Sequence, residues 1–172
     1  ILAHRHPFYI PQWTRDVHHE VELLVRITRN GKAIAPEFAY RYFDEISLGI
    51  DFTARDIQAQ AKAKGHPWEK AKAFDGSAVI SKKWLDKHTL EGGWEKAPFS
   101  LSRNGQIVQS ATAEDMLFHV HDLIAHVSRF MTLKMGDVLF TGTPSGVGPI
   151  ASGDCLEGKL AGQSMFKVNI HG

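Results

Sequence analysis

A single cysteine, Cys155, leaves this chain without a partner for an internal disulfide, so its fold does not depend on an oxidising compartment. Charge of either sign is not in excess, with 20 Lys and Arg against 19 Asp and Glu, and the clustered basic run that nucleic acid or an anionic membrane calls for is missing. Partners of those kinds are therefore not expected. No apolar run approaches the ~18 residues of a membrane span, and the opening residues show neither a charged n-region nor an apolar h-region. A cytoplasmic setting fits these absences. Repeats, low-complexity tracts and linkers are missing too. What remains is 172 residues, 43% hydrophobic, enough for one substantial core, and a single domain over 1–172 is expected. The chain opens on Ile1 in ILAHRHPFYIP as though in mid-strand, so a segment ahead of Ile1 is expected as well.

The most informative stretch is HHEVELLVRI, residues 18–27. At period two, one face carries His18, Glu20, Glu22, Leu24 and Arg26, and the other His19, Val21, Leu23, Val25 and Ile27. This is a strand with one apolar face. Carboxylates at i and i+2 then point the same way from a rigid element, close enough to hold one hard cation; on a helix they would be splayed roughly 200° apart. The alternative for Glu20 and Glu22 is a solvent-facing strand edge carrying two charges.

Before this strand, His4 and His6 alternate with an apolar face between Pro7 and the start, and without a third ligand nearby they read as surface histidines. After it, Asn30-Gly31 signals a hairpin or sharp reversal. PEFAYRYFD at 36–44 suggests a short helix with Phe38, Tyr42 and Phe43 offered to the core. EISLGIDF at 45–52 returns to strand composition, delivers Asp51 at its end, and leads into the helix formers ARDIQAQAKAKG, closed by Gly65. Asp51 can equally be a turn residue, and Thr53 with Asp56 has the form of a capping box. Lys72 sits between two alanines, a small-walled setting for a surface lysine. Residues 81–97 read as a surface excursion, and Asn104-Gly105 as a second hairpin turn. From Ala113 to Leu133 the apolar stripe of Met116, Leu117, Val120, Leu123, Ile124, Val127 and Phe130 predicts a long helix capped by Thr112, with His119, His121 and His126 on its surface. A short apolar strand at 138–140 then enters TGTPSGVGP, an irregular loop whose backbone amides can face an anionic group. It is not a P-loop, because no Gly-Lys-Ser/Thr closes it. The last part reads strand, turn, strand.

HHEVEL, GIDFTARDIQ, KAKAFD and TGTPSGVGP, in that order and at those separations, resemble the fumarylacetoacetate hydrolase family, in particular its small single-domain members. These include acylpyruvate hydrolases, oxaloacetate decarboxylases and isomerases of aromatic-catabolism diacids. The resemblance implies an α+β, β-rich fold, a mixed β-sandwich roll with flanking helices, and a homodimer. It also implies Mg²⁺ or Mn²⁺ held by Glu20, Glu22 and Asp51, an all-oxygen ligand set that suits a hard cation. On the same likeness, Arg55 and Lys72 serve the chemistry, while Gln58 and Thr143 contact the substrate, Thr143 through its carboxylate. The implied substrate is a small 2-oxo acid, with hydrolytic C–C cleavage of an acylpyruvate as the first expectation and oxaloacetate decarboxylation or diene-dioate isomerisation as rivals. A catalytically silent, metal-binding dimeric module is the alternative of another class. The family's water-activating His/Glu dyad would lie ahead of Ile1, and His18 and His19 do not take its place.

Overall fold

In the computed structural model residues 1–3 and 5–172 are described; His4, and with it the His4/His6 pair, lies outside them, and His6 is exposed. The elements in chain order are β1 (Phe8–Tyr9), β2 (Val17–His19), β3 (Val21–Ile27), β4 (Phe43–Asp51), β5 (Thr53–Ala54), α1 (Arg55–Ala63), α2 (Glu69–Lys72), β6 (Ala78–Ile80), β7 (Leu85–Asp86), β8 (Phe99–Arg103), β9 (Gln106–Ala111), α3 (Val120–Phe130), β10 (Val138–Phe140), β11 (Gly148–Pro149), β12 (Cys155–Leu160) and β13 (Gln163–His171). Short 3-10 segments cover Pro36–Tyr42, Trp94–Lys96 and Ala113–Asp115.

Three sheets result. One is ordered β1-β13-β12-β8-β9, a second β10-β3-β4-β6 with β7 also on β4, and a third, small one β11-β2-β5. Among the described residues all pairings are antiparallel except that of β1 with β13. Phe8, Leu23, Leu48, Ile50, Leu101, Ile124 and Leu156, drawn from both larger sheets and from α3, meet in one contiguous core. The expected β-rich roll with flanking helices is what the chain forms. Among the described residues no helix is long and apolar enough to cross a membrane.

The acidic strand differs from its expectation in two ways. It breaks at Glu20, because residues before the break pair with β5 and β11 while those after it pair with β4 and β10. Its polar face is also buried: Glu20 and Glu22 are 6% and 5% exposed, and Leu24 is fully enclosed. A solvent-facing edge is thereby excluded. At its far end Asn30-Gly31 makes no tight hairpin. Gly31 bridges to Leu133, and the reversal into β4 runs through Pro36–Tyr42 instead. That longer route buries Ile34 and Ala39 against α3, where Ser128 Oγ accepts the Ile34 N–H at 2.9 Å. Phe43 enters the core, but Phe38 is left exposed.

Two helix starts also moved. No capping box forms at Thr53, because Asp56 accepts from the Thr14 hydroxyl at 2.6 Å and the Arg15 N–H at 3.1 Å. The long helix expected from Ala113 is divided: Thr112 and Asp115 cap the 3-10 segment, and α3 starts only at Val120, where Asp122 accepts the His119 N–H. Leu117 lies between the two and is 95% exposed, and Phe130 is exposed at the far end. A second cap inside the stripe outweighs apolar periodicity. His119, His121 and His126 are on the surface as expected. The excursion at 81–97 is not wholly superficial, since Lys87 is buried with its ammonium donating to the Tyr40 and Phe43 carbonyls. The Asn104-Gly105 hairpin forms as read, both residues at positive φ.

Candidate metal centre

The central strands bring the acidic residues together. Glu22 lies on β3 opposite Gly49 of β4, Glu20 occupies the break just before β3, and Asp51 closes β4 with its N–H donating to the Glu20 carbonyl at 2.9 Å. One carboxylate oxygen from each of Glu20, Glu22 and Asp51 lies within 4.8 Å of the others. Two cations are delivered by the helices that follow. Lys72, the last residue of α2, places its ammonium 2.7 Å from Glu20 Oε2 and 2.6 Å from Asp51 Oδ2. Arg55, the first residue of α1, donates to Glu20 Oε1 through one nitrogen and to Gln58 Oε1 at 2.6 Å through another. The alanine before Lys72 is fully buried, so the small residue in that motif lets α2 pack closely enough for the lysine to reach the acids.

The third wall is the loop after β10. Thr141 donates its hydroxyl to the Leu23 carbonyl at 2.8 Å, and Gly142 donates its N–H to Glu22 Oε2 at 2.7 Å. The next residue, Thr143, is therefore held beside the acidic cluster. Its hydroxyl accepts from Gln109 Nε2 at 2.8 Å. All seven residues singled out from the sequence thus belong to one connected region. The backbone amides of this loop were expected to face an anionic group, and that of Gly142 faces the Glu22 carboxylate; sequence reading missed Gln109. The only signal for Gln109 was a polar residue at a core-facing position of a hairpin strand.

Electrostatics divide the three acids. Burial raises the Glu20 carboxyl, but contact with Lys72 and Arg55 more than offsets it and holds the group below its ordinary value. For Asp51 burial outweighs the attraction of Lys72, and the group is raised. Glu22 is pushed up to about 7 by burial and by its acidic neighbours, against the single Gly142 N–H. Lys72 is lowered by burial but raised more by Asp51 and Glu20, so it stays an ammonium. Three carboxylates against two cations leave Glu22, to which no Lys or Arg is bonded among the described residues, as the acid that a further positive charge would ionise. A divalent cation fits this site: the ligand atoms are all hard oxygens, they converge, and the charge they lack is positive.

Carboxylates from adjacent strands, a lysine and an arginine from the helices behind them, and a Gly-Thr loop in front define a class. The chain belongs to the fumarylacetoacetate hydrolase family, whose sequence pattern, described as Fumarylacetoacetate (FAA) hydrolase C-terminal, matches residues 1–170. Among its relatives is the oxaloacetate tautomerase YcgM of Escherichia coli, 42% identical over 161 residues that span 94% of this chain and 73% of the relative. The human mitochondrial oxaloacetate tautomerase FAHD1 is 37% identical over 169 residues, 94% of this chain and 73% of that one. A crystal structure of fumarylpyruvate hydrolase from Pseudomonas aeruginosa, in complex with Mn²⁺ and pyruvate, superposes with a TM-score of 0.89 at 32% identity, over 96% of this chain and 70% of that chain. These relatives are enzymes.

Proposed function

We propose that this chain is a divalent-cation-dependent enzyme acting on 2-oxo acids by making and using their enol form, with keto–enol tautomerisation of oxaloacetate as the first reaction to test. The convergence of buried Glu20 and Glu22 and half-buried Asp51 with Lys72 and Arg55 carries this reading. The choice of oxaloacetate rests on the tautomerase relative at 42% identity. Hydrolytic C–C cleavage of an acylpyruvate, the first expectation from the sequence, is the second reading, supported by the fumarylpyruvate hydrolase that binds pyruvate.

Glu20, Glu22 and Asp51 would hold the cation, Mg²⁺ or Mn²⁺, which when bound supplies Lewis-acid polarisation of a carbonyl oxygen. The chain's own residues supply the rest. Lys72 stays protonated between two acids, so it acts as fixed positive charge for a developing oxyanion and not as the base that takes the proton from carbon. Arg55, braced by Glu20 and Gln58, presents a planar cation suited to a substrate oxygen. Thr143 offers a hydroxyl to the carboxylate of the 2-oxo acid. A homodimer is proposed on the same family likeness, and a monomer by light scattering at micromolar concentration would count against it.

The test is a substrate panel followed by enol absorbance, with oxaloacetate and acetylpyruvate each assayed with Mn²⁺, with Mg²⁺ and with chelator. Metal-dependent enol decay of oxaloacetate without pyruvate release supports the tautomerase; acetate and pyruvate from acetylpyruvate would put the hydrolase first. Turnover of neither, with Mn²⁺ bound, would point to the silent binding module.

A further inference from the structure

Gln109 lies on β9, the edge strand of the five-stranded sheet, and is only 2% exposed although nothing in the proposed chemistry uses it. Every polar atom of its side chain is engaged. Its Oε1 accepts the Val21 N–H at 3.1 Å and faces His19 Nδ1 at 2.9 Å; its Nε2 donates to the Pro144 carbonyl at 3.0 Å and to Thr143 Oγ1 at 2.8 Å. The orientation of the amide is fixed by chemistry at both ends. A backbone N–H only donates and a backbone carbonyl only accepts, so turning the amide over would lose both bonds. Two consequences follow. His19 Nδ1 must carry a hydrogen to meet Oε1, and Thr143 must accept from Gln109, which leaves its own hydroxyl hydrogen free to point elsewhere.

The residues that Gln109 joins flank the acidic cluster on two sides. His19 and Val21 bracket Glu20, and Thr143 and Pro144 follow the Gly142 amide that holds Glu22. The loop rests on β9 so closely that a Cβ at Gly146, where φ is +96°, would come within 2.1 Å of the Val108 carbonyl oxygen. From this geometry we infer that Gln109 is a positioning residue: a buried clip that locks the substrate loop to the acidic strand and commits the Thr143 hydroxyl to donate to the carboxylate of the 2-oxo acid. The inference rests on the placement of that carboxylate at Thr143 given under the proposed function.

Gln109→Met keeps length and approximate shape while deleting the amide. Two readouts test the clip. The first needs neither metal nor substrate: imidazole ¹⁵N spectra show His19 as the Nδ1–H tautomer in the wild type and as Nε2–H in Gln109→Met. An Nε2–H His19 in the wild type would overturn the clip. The second is a kinetic cycle with Thr143→Val on oxaloacetate and Mn²⁺. Gln109→Met raises KM about ten-fold with kcat held within about two-fold, and in the Thr143→Val background it adds nothing further. Independent losses in the two backgrounds, or kcat falling in step with a general loss of folding, would overturn it. Should Gln109→Met fail to fold, Gln109→Glu keeps an acceptor for Val21 and His19 and replaces the donor to Thr143 and Pro144 by a second acceptor; KM then rises while His19 keeps its Nδ1 proton. An unchanged KM in Thr143→Val alone would overturn the carboxylate placement, a failure separate from that of the clip, which the imidazole spectrum decides.

Discussion

Gly142 donates its backbone N–H to Glu22 Oε2 at 2.7 Å, and among the described residues no Lys or Arg stands within bonding distance of that carboxylate. Glu22 is the acid for which the protein supplies least compensation, and its carboxyl is correspondingly pushed up to about 7. From pH 4.5, its ordinary value, to about 7 the folded chain holds a proton on Glu22 that the unfolded chain has released. Stability of the metal-free protein therefore falls as pH rises across that window, with a slope from this group of at most ~1.4 kcal/mol per pH unit. Cation binding displaces the same proton, so the Mn²⁺-induced rise in Tm grows as pH rises through about 7. Thermal denaturation with and without Mn²⁺ across this range checks both signs.

Lys72→Met removes the ammonium that bridges Glu20 and Asp51. Buried Glu20 keeps Arg55, half-buried Asp51 is left without its cation, and the metal-free protein loses about 1–2 kcal/mol, less than the cost of breaking a fully buried pair from one side. Mn²⁺ restores much of that stability but not the rate, which stays about 10²–10³-fold down if Lys72 stabilises an oxyanion. Denaturant unfolding and steady-state kinetics on the same variant separate the two effects.

Arg55→Lys keeps the charge but not the fork. A lysine ammonium lacks the planar fork whose two separate nitrogens meet Glu20 and Gln58. The expected outcome is a KM for the 2-oxo acid raised about ten-fold with stability nearly unchanged, measured by kinetics and by Tm.

Gly49 pairs across the sheet with Glu22. A Cβ there would lie 2.3 Å from the Val79 carbonyl oxygen and 2.8 Å from a Leu24 methyl, so β4 and β6 would have to part. Gly49→Ala is expected to cost about 2–3 kcal/mol, and to weaken Mn²⁺ binding because Glu22 shifts with the strand. Calorimetry on the purified variant reads both.

How far the sequence could be read depended on whether the signal was local. Glu20 and Glu22 were legible because period two puts two acids on one face; Asp51, by itself equally a turn residue, joined them with Arg55, Gln58, Lys72 and Thr143 only through the resemblance that the order of four motifs carries. The Asn104-Gly105 turn was legible because its positive φ values are a local demand. Asn30-Gly31 carries the same signal but yields to a tertiary one, the burial of Ile34 and Ala39 against α3. The helix start at Val120 was obscured because Leu117 continues the stripe yet points into solvent. Burial of both faces of β3, and the engagement of Gln109 with a loop 34 residues further along the chain, depend on the packing of separate sheets and leave no local trace.

The central claim is that Glu20, Glu22 and Asp51 form one divalent-cation site. It is tested most directly by titrating the metal-free protein with Mn²⁺ by isothermal calorimetry, alongside Glu22→Gln and Asp51→Asn. One Mn²⁺ bound per chain, with the affinity lowered at least about ten-fold in each variant, is the predicted result. Binding of equal strength in the wild type and in both variants would place the cation elsewhere and contradict the account.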